Sequence, residues 1–165
     1  MKFVNYDIVF QEVPGEVTLA INISNCPNRC IGCHSPHLQE DIGEELTESV
    51  LSSLLNIYGN AITCVCFMGG DRSPKEILHL AKFVRNGALQ HIPKNIKTAW
   101  YSGKYKLYKN ALQYFDYIKL GAYMRELGGL NSPITNQRFY RIENNTMIDI
   151  THTFYRKNDR LKGIY

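Results

Sequence analysis

The chain has 165 residues, 44% of them hydrophobic and 21% charged, with a formal net charge of +4. That length suits a single domain able to bury roughly 70% of the surface its unfolded form would expose, so folding needs neither disulfides nor metal. Basic residues are scattered, with loose concentrations only at 97–109 and 156–162, a solvated pattern unlike the dense basic stripe of a nucleic-acid reader. The opening MKFVNYDIVFQEVPG puts Asp7 and Glu12 where a signal peptide needs an unbroken apolar segment. The longest nearly apolar run, AITCVCFMGG, is far short of the ~20 residues that span a bilayer. A cytoplasmic protein without nucleic-acid or membrane partners is the expectation. Thiols stay reduced there, and five cysteines, an odd number, read as ligands or free thiols rather than disulfides.

There is no repeat, low-complexity tract or linker, so 1–165 reads as one domain. VTLAINIS (17–24) alternates as a strand and runs directly into NCPNRCIGCH (25–34), which packs three cysteines and a histidine together. Thr47 can then cap a helix whose apolar positions Val50, Leu51, Leu54, Leu55 and Tyr58 fall at helical spacing, stopped by Gly59. AITCVCF (61–67) is apolar on both faces, as a covered parallel strand should be, and ends in Met68-Gly69-Gly70-Asp71. Ser73-Pro74-Lys75-Glu76 has the form of a capping box, with Ile77, Leu80, Ala81 and Val84 as the buried stripe behind it. IKTAWY (96–101) and DYIKL (116–120) repeat the strand rhythm, and the lysine- and tyrosine-rich stretch between them reads as an amphipathic helix. RFYRIE, Asn144-Asn145 and TMIDITHTF form a hairpin pattern.

Strands alternating with helices specify parallel βα units with right-handed crossovers. Eight such units need about 250 residues, more than this chain holds. The expected fold is therefore α/β, an open partial (β/α) barrel or a curved open sheet of parallel strands, with a C-terminal hairpin. In such folds ligands gather at the carboxyl ends of the strands. Loops 26–37 and 69–71 both follow carboxyl ends of consecutive strands and are expected to face one cavity.

Three chemistries compete for the cysteines. Cys30-Ile31-Gly32-Cys33-His34 matches the attachment signal for a c-type haem. That reading needs export and leaves Cys26 idle. Tetrahedral zinc could be held by Cys26, Cys30, Cys33 and His34 or His37, although structural zinc sites usually draw on two separated ligand pairs. An iron–sulfur cluster answers the count directly, because cubane clusters normally take four thiolates. Three leave one iron without a protein ligand, and an open coordination position is how metal sites act on a bound molecule.

The Cys-x3-Cys-x2-Cys loop after the strand at 17–24, joined to Gly69-Gly70-Asp71 after the next strand, resembles the radical S-adenosylmethionine superfamily. Asn28-Arg29-Cys30, Cys33-His34-Ser35-Pro36, the segment 115–121, Glu126-Leu127-Gly128-Gly129-Leu130 and Thr135-Asn136-Gln137-Arg138 are similar to the activating proteins of anaerobic ribonucleoside-triphosphate reductase. The similarity covers most of the chain. Asn25 departs from the pattern, since glycine is common before the first cysteine in that family. The resemblance implies a partial barrel of the radical S-adenosylmethionine type in which Cys26, Cys30 and Cys33 hold a [4Fe-4S] cluster. It implies that Gly69, Gly70 and Asp71 hold the methionine end of S-adenosyl-L-methionine, while the backbone of Gly32, Cys33 and His34 lies along its adenosyl group. A packed or surface imidazole is the other reading of His34. The implied reaction is reductive cleavage of that cofactor and formation of a glycyl radical on the reductase, a protein substrate. The electron would come from a low-potential one-electron donor such as a flavodoxin or ferredoxin. Other readings are a radical S-adenosylmethionine enzyme acting on another glycyl-radical protein or a small molecule, and a non-catalytic zinc-binding or electron-transfer module.

The remaining chemistry-bearing residues have plainer readings. Cys64 and Cys66, two apart on a strand, share a face as small core residues. His37, His79, His91 and His152 lack ligand partners at useful spacing. Lys119 and Asp116, read as lying in the carboxyl half of their strand, could reach the cavity, yet a salt-bridged rim is the expected role. Gly128 and Gly129 read as turn residues, in a stretch that the resemblance, together with Arg138, turns toward the partner.

Overall fold

The apolar runs of the sequence become the centre of one sheet. A computed structural model of the chain describes residues 1–87 and 95–155. His91 and the basic segment 156–162 lie outside these described residues. The elements in chain order are β1 (Lys2–Val9), β2 (Thr18–Ile23), β3 (Glu44–Glu45), α1 (Glu48–Tyr58), β4 (Cys64–Met68), α2 (Pro74–Arg85), β5 (Lys97–Tyr101), β6 (Tyr117–Leu120), β7 (Arg138–Glu143) and β8 (Thr146–Asp149). Among the described residues these eight strands form a single sheet in the order β3-β1-β2-β4-β5-β6-β7-β8. The four central strands β2, β4, β5 and β6 are parallel. Antiparallel pairs flank them on both sides, β1 with β2 and β3, and β7 with β6 and β8.

This architecture corrects the expected partial barrel of repeated βα units. The sheet is mixed and open, with β3 and β8 as its edges, and only two α-helices are present among the described residues. The physical reason lies in two stretches. The expected amphipathic helix between β5 and β6 does not form: Gly103 interrupts the pattern, Asn110 is left-handed at φ 66°, and the only helical turn is the short 3-10 segment Ala111–Gln113. After β6 the chain returns without a crossover helix, so the next strand must be antiparallel. At the other end β1, unanticipated from sequence, pairs antiparallel to β2. Its alternation is hidden because Phe3 is its only buried residue and a register shift falls between Phe3 and Asn5.

The two faces of the sheet are covered differently. Leu19, Ile21, Ile23, Val65, Phe67, Trp100 and Ile118 point to one side and pack with Leu51, Leu54 and Leu55 of α1 and Ile77, Leu80, Ala81 and Val84 of α2. Both helix stripes are those read from the sequence. Thr47 caps α1 as expected, its Oγ1 accepting from Val50 N at 3.2 Å. The capping box expected at α2 is not made: Ser73 has no side-chain cap bond, and the Glu76 carboxylate meets the Met1 ammonium at 2.5 Å. On the opposite face Cys64, Cys66, Ala99, Tyr117 and Phe139 pack against Val13 from the loop after β1, with Ile150 and Phe154 at the margin. A loop and the carboxyl-terminal turn therefore cover the side that a barrel would enclose. The β7–β8 hairpin is as predicted, with Asn144 and Asn145 both left-handed at φ 49° and 59°, as a two-residue I′ turn requires. No helix among the described residues is long and apolar enough to cross a membrane.

Candidate functional site

The cysteine loop leaves the carboxyl end of β2 through a turn that needs left-handed backbone. Asn25 supplies it at φ 58°, so asparagine does there what glycine would do. The base of the loop is tied by Asn25 N donating to Glu40 O at 2.8 Å and Cys26 N to Leu38 O at 2.9 Å. Arg29 at φ 45° and Gly32 at φ 74° bend the tip, and Cys33 N donates to Cys30 O at 3.2 Å. Cys26, Cys30 and Cys33 are free thiols, each half-buried. His34 is exposed and packs edge-on against Tyr123 at 4.8 Å between ring centroids.

The glycine pair follows the neighbouring parallel strand β4. Gly69 and Gly70 have φ of 109° and 83°. A Cβ on Gly70 would lie 2.4 Å from Ile77 Cδ1, so the close approach of this turn to α2 admits only glycine. Gly69 O accepts from Trp100 Nε1 at 2.7 Å, which fixes the turn to β5. Asp71 is thereby delivered to the cysteine loop. Its Oδ2 accepts from Asn28 Nδ2 at 2.6 Å and Gly103 N at 2.8 Å, and its Oδ1 accepts from Ser102 Oγ at 2.5 Å. Loops 26–37 and 69–71 do meet, as the sequence reading expected, and they meet through this carboxylate.

Lys119, expected on a rim although the sequence also allowed it to reach the cavity, belongs to the site. It sits near the carboxyl end of β6, only 8% exposed, and donates from Nζ to Gly121 O at 2.5 Å. Burial pulls its pKa down to about 8, against the opposing pull of the Asp71 carboxylate and the Cys30 and Cys26 thiols. It is a cation of the site and not of a rim. Asp116, considered with it, lies at the opposite end of β6, where its Oδ2 meets Arg85 Nη1 at 2.8 Å and accepts from Thr98 N at 2.8 Å. Asn28, Ser102 and Gly103 were missed. The signal available was a Ser-Gly pair directly after a predicted strand, at the end where ligands gather.

The other cysteines behave as expected for core residues. Cys64 and Cys66 are fully buried, and burial pushes both thiols well above their ordinary range. Neutral buried thiols are poor metal ligands. His37 and His152 are exposed, and His79 on α2 meets Glu48 at 2.8 Å. Gly128 is a turn residue at φ 74°, and Gly129 follows it in open surroundings. Arg138 donates to Thr135 O and Gln137 O at 2.7 and 2.8 Å.

Among the described residues no three His, Cys, Asp or Glu side chains are gathered around a single metal-ion position. The three loop thiols are therefore not preassembled for one ion. In kind and number they fit an iron–sulfur cluster, in which thiolates bind separate irons, and the buried Lys119 lies within electrostatic reach of Cys30 and Cys26. No family model, curated protein or solved structure matches the chain.

Proposed function

We propose that this chain is the activating enzyme of an anaerobic ribonucleoside-triphosphate reductase, a cytoplasmic enzyme that uses a [4Fe-4S] cluster and S-adenosyl-L-methionine to place a glycyl radical on that protein. The observation that carries the reading is the direct hydrogen bond from Asn28 in the three-thiol loop to Asp71 in the glycine turn, at the carboxyl ends of adjacent parallel strands. Cys26, Cys30 and Cys33 would hold the cluster. When bound, it supplies one electron for reductive cleavage of the cofactor's sulfonium, the outcome being methionine, 5′-deoxyadenosine and a radical left on a glycine of the reductase. The chain's own residues bind and orient. A carboxylate has about four lone-pair sites. The hydrogen bonds to Asp71 from Asn28, Ser102 and Gly103 leave room on Oδ1 for the methionine ammonium. Gly69 and Gly70 shape the turn whose backbone would meet the methionine end of the cofactor, and the backbone of Gly32, Cys33 and His34 borders its adenosyl group. Lys119, itself buried, would offset negative charge of thiolates and carboxylate. The external reductant is a low-potential flavodoxin or ferredoxin.

The test is anaerobic reconstitution with iron and sulfide, reduction by dithionite, and analysis of S-adenosylmethionine products. Methionine and 5′-deoxyadenosine are expected; a full cluster without cleavage refutes the reading. With the reductase added, a doublet glycyl radical spectrum is expected, and deuterium from the target glycine should appear in 5′-deoxyadenosine. Deuterium transferred instead from a small molecule or another glycyl-radical protein would reassign the substrate.

A further inference from the structure

Asn28 lies inside the cysteine loop, two residues after its first cysteine. Its carboxamide nitrogen has two hydrogens to give. It donates to Asp71 Oδ2 at 2.6 Å and also approaches Cys26 Sγ at 3.6 Å. With a carboxylate and a sulfur as neighbours, only the nitrogen can face this way, because the carbonyl oxygen would meet two acceptors. The side chain is seated directly on the backbone of Gly103, where an added Cβ would stand 2.3 Å from Nδ2 and 2.8 Å from Cγ. Asp71 is held in turn from the far side by Ser102 Oγ at 2.5 Å and Gly103 N at 2.8 Å. Among the described residues, no other hydrogen bond joins residues 27–34 to the strands or to the glycine turn.

We propose that Asn28 is the positioning residue of the cysteine loop, a latch closed on Asp71 and seated on Gly103 that holds Cys26 against the carboxyl end of the sheet before any metal is bound. Asp71 then has a role in placing the loop besides its proposed contact with cofactor. The latch stands on the geometry alone; only the purpose of an ordered loop rests on the function proposed above. Gly103 belongs to the device because any side chain there would evict the carboxamide. Asn25 and Arg29, both left-handed and flanking the latch, give the loop a bent path that one fixed point between them can hold.

The experiment uses the full chain purified without iron. Arg29 is exposed and adjoins the latch, so trypsin cleavage after Arg29, identified by mass, reports how often the loop opens. Losing a hydrogen bond to a charged acceptor should raise that cleavage rate roughly ten- to a hundredfold. Asn28→Ala, and Asn28→Asp, which keeps the shape but removes the donor, should both show it while still unfolding cooperatively in urea, with a loss of global stability no larger than that of the one contact. Gly103→Ala should show it by displacing Asn28. Asp71→Ala should show it too, and combining Asp71→Ala with Asn28→Ala should add nothing, as expected for two halves of one contact. Wild-type cleavage rates in the Asn28 variants, or effects of Asn28→Ala and Asp71→Ala that multiply, overturn the latch. Failure of the wild-type chain to take up iron and sulfide would overturn the cluster reading and leave the latch result standing.

Discussion

Gly70→Ala tests how far the glycine turn is a packing requirement. The residue has φ 83°, and a Cβ there would stand 2.4 Å from Ile77 Cδ1, 2.7 Å from Ile77 Cγ1 and 3.4 Å from Ile23 Cδ1. Ile77 is fully buried under the sheet, so its side chain has nowhere to retreat. Left-handed backbone at a non-glycine residue costs about 1–2 kcal/mol. Overpacking a filled core adds about 1–3 kcal/mol. The sum, roughly 2–5 kcal/mol, corresponds to a drop in melting temperature of several degrees or more at this chain length, at about 2–4 °C per kcal/mol. Urea and thermal unfolding of the metal-free protein measure it. A second variant identifies the cause. Ile77→Val removes the Cδ1 methyl, and alone it should cost about 0.5–1.5 kcal/mol. In the Gly70→Ala background the same change should cost nothing or restore stability, because it relieves the worst overlap. A Gly70→Ala protein within about 0.5 kcal/mol of wild type, the range of an unconstrained surface change, would refute the packing argument, and full additivity with Ile77→Val would show that backbone strain acts alone.

Alanine at Cys26, Cys30 or Cys33 should abolish stoichiometric iron and sulfide binding, whereas alanine at Cys64 or Cys66, both fully buried core thiols, should leave it intact; loss of iron from a folded Cys64 or Cys66 variant would show the ligand set to be wrong. A pH dependence should come from Glu16, at the amino-terminal end of the sheet. Burial by itself would push its carboxyl up, but Lys97 Nζ at 2.6 Å, Thr63 Oγ1 at 2.7 Å and Tyr117 Oη at 2.7 Å hold it below its ordinary value of 4.5. A lowered folded pKa adds stability that is present above the unfolded value and is lost as pH falls through the folded one. Glu16→Gln should therefore be destabilised near neutrality, and its deficit against wild type should shrink as pH drops below 4.5; a deficit constant across that window would exclude the ion pair as its source.

Much of this was legible along the chain because the deciding forces are local or periodic. Period-two and helical spacing of apolar residues placed β2, β4, β5, β6 and both helix stripes, the Thr47 cap and the Asn144-Asn145 turn need only their own neighbours, and three cysteines within one loop mark the candidate site. Where a pattern was diluted, it misled. β1 buries one residue and carries a register shift, so no alternation betrayed it, and the lysines and tyrosines after β5, at 104–109, imitated a helix that Gly103 and Asn110 prevent. The direction of the outer strands was beyond reach, since an apolar strand reads the same whether its neighbour runs with it or against it. The site's connections were decided by tertiary structure alone. Asn28 and Asp71 are 43 positions apart and Ser102 is 31 from Asp71, separations at which sequence carries no mark of contact. Only the lateral pairing of parallel strands brings their carboxyl ends, and the loops on them, within hydrogen-bond reach. Lys119 shows the same limit for charge: one lysine in an apolar strand can be read as reaching the cavity or as part of a rim until neighbouring strands bury it within electrostatic reach of Asp71, Cys30 and Cys26.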